Sequence, residues 1–322
     1  MIQALVHSIV PFIDITALAV LIGAALLISC LTRPARGPAE YPQVPSGRLR
    51  HLIVICLSML TISTISGLIS RSMEMSGFGF AASLPLLPTV IFRSHYGSMW
   101  LLRAAGLILA WIVLLAGSRY SGPRLFGGFL LLAGATIAFS RSASGHPSDF
   151  GDLSPQQLAD WLHLLAVSAW GGSLITLAAI FPPSLVKDDI PQQRLVAITA
   201  ERFYLAFGPL LTVIVFTGLY NAWFQVGSFH ALATTPYGGL FSAKLLLFLF
   251  LSFRYIAPPE HGRDEALFAT KFLHRTRLEA FIILTLLLCV ALLVHQIPAR
   301  HFLHLRHMQG GGGHAGHDMH NE

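Results

Sequence analysis

Histidine and methionine are the residues of this chain with chemistry to offer: it carries 15 His and 7 Met, against 3 Cys, in 322 residues. Imidazole suits copper, zinc and nickel, whereas thioether sulfur selects the soft Cu(I) ion. His7 and Asp14 stand seven residues apart, two helical turns, and so share one face. His163 and Trp170 repeat that spacing, and Asp160 precedes His163 by one turn. A carboxylate on the second ring nitrogen would orient that imidazole for metal binding. Arg71-Ser-Met73-Glu-Met75-Ser sets two thioethers around a carboxylate, an arrangement suited to Cu(I). His146 sits in a Gly-His-Pro-Ser-Asp loop, and His295 closes the last apolar segment. Beyond residue 309 a Gly-rich tail holds His314, His317 and His320 at every third position, a density suited to weak, exchangeable capture of Cu(II) or Zn(II). Each feature also has a plainer reading. A lone membrane histidine usually hydrogen-bonds, two methionines near a surface usually pack, and an ion pair with Arg103 or Lys244 would account for Asp14.

Helices in a membrane must position these residues. The chain is 54% hydrophobic and 11% charged, with mean hydropathy +0.66, whereas a soluble domain is about a quarter charged. A water-soluble globular fold is thereby excluded. Eight apolar segments lie near 8–31, 52–70, 97–117, 124–140, 158–181, 203–225, 240–257 and 278–297. Backbone groups in lipid must be satisfied within their own segment, so each is expected to be a transmembrane helix of an all-α, polytopic protein in a lipid bilayer. The first segment lacks a basic start and is too long for a secretory signal, so it counts as a span. The chain divides into a four-helix part (1–140), a loop (141–157), a second four-helix core (158–297) and a His-rich tail (298–322) expected to be disordered. The connection 258–277 opens Pro-Pro-Glu-His-Gly and continues as a short amphipathic surface helix.

Lys and Arg set the orientation. With both termini outside, fourteen of the 21 basic residues fall on the inner side. Twelve of the 15 histidines and five of the 7 methionines then lie on the outer side. Both ligand types on one face point to metal capture in an oxidising compartment. Cys30 and Cys56 lie toward the inner side, as a soft exit site or, more commonly, as inert buried thiols. Three cysteines exclude a disulfide scaffold and a Cys-rich zinc module. Without a nucleophile–base pair, a phosphate-binding Gly loop or paired carboxylates, neither an enzyme nor an ATP-driven pump is expected. Basic residues are spread over loops rather than blocked together, so no nucleic-acid partner is expected.

Several motifs, taken in order, resemble the CopD family of bacterial copper-resistance membrane proteins. They are Trp161-Leu-His163-Leu-Leu-Ala-Val-Ser-Ala-Trp170-Gly-Gly, Glu201-Arg202-Phe203, Thr217-Gly-Leu-Tyr-Asn221-Ala-Trp223, Thr235-Pro-Tyr-Gly238 with Lys244, and Arg277-Leu-Glu-Ala280. The resemblance covers 158–297 strongly, and the first four helices match in number. It implies an eight-helix inner-membrane protein that works on copper, often beside the periplasmic copper carrier CopC. His163 stands at the motif histidine, and Trp170, Gly171 and Gly172 read as packing. Some relatives fuse a CopC-like domain to the membrane part; none is found here, so a separate CopC-like carrier is the expected partner.

The expectation is therefore a copper permease of the bacterial inner membrane, moving copper from periplasm to cytoplasm in copper homeostasis and resistance. Metal ligands would be His163, His7, Asp14, His295, His146, Met73, Met75, His314, His317 and His320, with Asp160 and Trp170 behind them. One rival is a scaffold or sensor that binds copper on the periplasmic face and docks a carrier without transport. Another is a haem b redox protein, which needs two facing axial histidines.

Overall fold

The computed structural model describes residues 2–31, 46–117, 123–145, 151–182, 189–226, 229–256 and 265–293. All regular structure among them is helical: α1 (Ile2–Leu31), α2 (Ser46–Ser76), α3 (Phe80–Ser83), α4 (Leu87–Arg93), α5 (His95–Ala116), α6 (Pro123–Ala143), α7 (Pro155–Ile180), α8 (Ile190–Val226), α9 (Phe229–Thr234), α10 (Pro236–Ile256) and α11 (Glu265–Leu293), with a 3-10 turn at Leu84–Leu86. Among the described residues seven helices are long and apolar enough to cross a membrane, and α8, bent by 41° next to Gly208, makes eight if counted as one span. The bend has a cause in Pro209, which removes a backbone donor and crowds the carbonyl one turn back.

α1 is the centre of the bundle, packed by α2, α6, α7 and α11. α5 closes the first group of helices against α2 and α6, while α8 and α10 join α7 and α11 in the second. The groups meet where α1 crosses α7, and that crossing is backbone against backbone. A Cβ on Gly172 would lie 1.7 Å from the Ala19 carbonyl oxygen, and one on Gly23 would lie 2.1 Å from the Gly172 carbonyl carbon. Small residues let helices approach this closely where lipid offers no hydrophobic drive between them. The hydroxyl of Ser173 also donates to the Gly23 carbonyl at 3.3 Å. Away from the core, Leu115, Leu205, Phe216, Trp223, Phe253 and Phe281 are exposed. Such a belt would be prohibitive in water and is ordinary against lipid tails.

Two elements differ from the sequence reading. The surface helix expected within 258–277 is instead the first part of α11, which runs unbroken from Glu265 because no Pro or Gly interrupts it to Leu293. Between α2 and α5 the chain forms α3, the 3-10 turn and α4, where Pro85 and Pro88 occupy first-turn positions whose N–H would be unbonded anyway. Replacing Gly172 with Ala should therefore lower the thermal stability of the detergent-solubilised protein by about 2–3 kcal/mol, the cost of overpacking a closed contact. Gly128, whose Cβ would meet nothing within 4 Å, should tolerate the same change without loss.

Candidate functional site

Two polar clusters occupy the end of the bundle that carries the start of α1 and α7, the His163 end. The first is built on Asp14, buried at 4% exposure on α1. Arg103 of α5 donates to Asp14 Oδ1, Arg141 of α6 donates to Oδ2 at 2.5 Å, and Ser63 of α2 donates to Oδ1 at 2.5 Å. One residue from each helix of the first group thus meets at one carboxylate. Arg103 Nε is anchored in turn by Thr64 Oγ1 at 2.7 Å, whose backbone carbonyl accepts from Trp100 Nε1 at 3.0 Å. With both oxygens engaged by guanidinium groups, Asp14 offers little to a metal cation. The geometry takes the ion pair with Arg103 that the sequence allowed, and adds Arg141.

The second cluster is built on α7. Ser154 caps this helix by accepting from Gln157 N at 3.3 Å, and the Gln157 side chain accepts from Leu153 N at 2.8 Å. That lock fixes where Asp160 and His163 project. Asp160 does not reach the imidazole. It accepts from Ser142 Oγ of α6 at 2.7 Å, with Asn221 Nδ2 of α8 at 3.5 Å. Thr217 of α8 takes the place given to Asp160: its hydroxyl lies 3.0 Å from His163 Nδ1. The same hydroxyl donates to the Val213 carbonyl at 2.5 Å, so it is left to accept from Nδ1–H. Assigned in this way from the hydrogen bonds, Nδ1 carries the proton and Nε2 the lone pair. Gly218 makes room for the ring, since a Cβ there would lie 3.0 Å from His163 Cε1. Thr217, Gly218 and Asn221 lie together on α8, within the Thr217–Trp223 motif.

Of the other expected ligands, Met73 is half-buried and Met75 exposed at the end of α2, beside an Arg71–Glu74 pair of 3.2 Å. Trp170 is a core residue, edge-on to Phe248 at 6.2 Å. His7 lies on α1, but its side chain falls outside the described residues, as do His146, His295, His314, His317 and His320 entirely. Cys56 is buried and free, whereas the placement of Cys30's side chain is outside the description. One pair went unnoticed in the sequence: His95 Nε2 meets both Asp152 oxygens at 2.9 and 3.0 Å on the exposed rim of the same end. Among the described residues no three His, Cys, Asp or Glu side chains stand together as a metal set.

Inward from His163 the second group closes into an apolar layer of Trp170, Leu174, Phe203, Ile214, Leu251, Ile283 and Leu287. At the opposite end Glu279, 2% exposed, is paired with Arg275 at 2.8 Å and Arg254 at 3.7 Å.

Residues 1–153 match a family model described as copper resistance protein D-like, N-terminal domain. That match spans the helices of the Asp14 cluster, complementing the motifs in 158–297. Copper transport protein CutJ of Bacillus subtilis (strain 168) is 25% identical over 218 residues, 65% of this chain and 37% of that protein. Copper resistance protein D of Pseudomonas syringae pv. tomato is 28% identical over 246 residues, 74% of this chain and 76% of that protein. The chain thus spans little more than a third of the first relative's length and about three quarters of the second's. No solved structure matches.

Removing Asp14 strands two guanidinium groups in a poorly solvated site. Asp14→Ala should destabilise the protein by about 3–5 kcal/mol, the cost of breaking a buried pair from one side. A midpoint of thermal unfolding in detergent within a degree of the unsubstituted protein would contradict the ion-pair assignment.

Proposed function

We propose, because this chain belongs to the CopD family of copper-resistance membrane proteins, that it handles copper as a permease of the bacterial inner membrane. The His163 end faces the periplasm in this reading, in keeping with the excess of Lys and Arg assigned to the other side. Copper arrives there, delivered by a separate CopC-like carrier and gathered by the tail histidines, His146 and the Met73–Met75 pair. It passes between α7, α8, α10 and α11 toward the cytoplasm.

The observation that carries the reading is the 3.0 Å contact of His163 Nδ1 with the Thr217 hydroxyl, from which the tautomer is assigned. With Nδ1–H held by Thr217, Nε2 presents a lone pair at the polar end of an otherwise apolar helix group. A neutral imidazole fixed through its other nitrogen is the usual form of a histidine metal ligand. His7 and His295 are the ligands proposed to complete the site, because α1, whose first turns carry His7, and α11, whose last residue Leu293 lies two before His295, both pack on α7. Asp14 is assigned a structural role instead.

A second reading is favoured by the apolar layer around Trp170. If it never opens, the same site binds copper without passing it, as a scaffold or sensor would.

Two substitutions test the site. At equal protein level, His163→Ala should abolish the copper accumulation that the protein supports in cells. Thr217→Val, which leaves the ring but frees Nδ1, should weaken copper affinity by roughly 10–100-fold, the range seen for lost outer partners of metal histidines. Unchanged accumulation in His163→Ala cells would remove His163 from the function.

A further inference from the structure

Lys271, Arg275 and Leu278 follow one another at i, i+4 and i+7 on α11 and so line one edge of that helix. On α10, which packs beside it, Arg254, Phe250 and Leu246 repeat the pattern in the opposite chain direction. Both helices therefore set cations at the Glu279 end and apolar side chains deeper. Lys271 and Leu278 are exposed, as are Phe250 and Leu246. Arg254 joins the two edges. Its guanidinium carbon lies 5.8 Å from the centre of the Phe250 ring, and its Nε lies 3.7 Å from Glu279 Oε1 on α11. Arg275 Nε donates to the same oxygen at 2.8 Å. Among the described residues, three cations thus line this groove with one carboxylate, Glu279. Lys271 and Arg275, one turn apart, repel each other unless an anion lies between them.

The level of these groups matches the polar part of a bilayer. Leu278 opens the last apolar stretch, so Arg275 and Lys271 lie within about 10 Å outside it at a rise of about 1.5 Å per residue. A headgroup layer is roughly 5–8 Å deep, and a lysine stem spans the remainder. Arg254, whose side chain is 30% exposed, reaches the same groove from α10. A groove with cations at headgroup level and an open apolar wall beneath has the shape and charge of a phospholipid site. A headgroup bearing an amine would bring a cation of its own, whereas an anionic one meets the excess positive charge where screening is poor. We propose that the groove between α10 and α11 holds one anionic phospholipid. Its phosphodiester is bound by Lys271, Arg275 and Arg254, and its acyl chains lie along Leu278, Phe250 and Leu246. Glu279 holds the two arginines in position. The site lies at the opposite end from His163 and does not depend on the copper reading.

The test is native mass spectrometry of the purified full-length protein, released from neutral-detergent micelles that contain equal amounts of phosphatidylglycerol and phosphatidylcholine. One phosphatidylglycerol per protein should be retained in preference to phosphatidylcholine. Lys271→Gln, at an exposed position outside the Glu279 pair, should lower that preference roughly fivefold, the effect of one basic group at an anionic lipid. Lys271→Glu should remove it. Arg50→Glu makes a charge reversal of the same size in the exposed first turns of α2, at the same end, and should leave retention unchanged. Equal retention of the two lipids by the unsubstituted protein would overturn the proposal. So would a loss in Arg50→Glu as large as in Lys271→Glu, which would mean attraction to overall charge rather than to this groove. Displacement of the phosphatidylglycerol by inorganic phosphate would overturn it as well, since an anion site alone has no use for acyl chains.

Discussion

A carboxylate within a bilayer persists only where cations or hydrogen-bond donors surround it, and Asp14 meets that condition on the most enclosed helix of the bundle. Its two oxygens draw Arg103 and Arg141 inward from α5 and α6, and Ser63 from α2. Long polar side chains that would otherwise extend toward water are thereby committed to the interior. The register of four helices at this end follows from one ionic contact, in the way that glycine contacts set the register of α1 on α7.

That contact also reaches the second group of helices. Arg141 and Ser142 are neighbours at the end of α6; the first binds Asp14 and the second binds Asp160. A shift of α6 would disturb both clusters at once, so the scaffold around Asp14 and the polar face around His163 form one connected unit. Below it the chain is sealed. Trp170 is edge-on to Phe248, and Leu174, Phe203 and Leu251 fill the level beneath, so any passage requires α8 or α10 to move away from α7. α8 carries a proline bend near its middle, a natural place for such a motion to begin.

The spans were legible because hydropathy over about 20 residues is a local property. The edges were less so. α11 continues through a basic stretch, Lys271 to Arg277, since helix propensity does not stop where lipid does, and α3 and α4 hide in a proline-bearing segment. At the site, His163 and Asp14 were legible as polar residues in apolar helices. Their partners were not, because depth along one helix says nothing about which helix lies opposite. Depth alone suggested both Arg103 and Lys244 for Asp14, yet the structure sends Arg103 there together with Arg141. Asp160 was read along its own helix toward His163, when its hydrogen bonds run across to Ser142 and Asn221. Thr217 and Asn221, one turn apart in an apolar helix, were the signal available for the missing side of the cluster.

The central claim, that copper enters at the His163 end and crosses the bundle, is tested most directly in proteoliposomes of known protein orientation. Cu(I) and Cu(II) would be offered separately from each side, with zinc as control. Saturable copper flux from the His163 side, absent in the His163→Ala protein and absent for zinc, is the expected result. Tight copper binding on that side with no flux in either direction would contradict it and make the apolar layer a permanent floor.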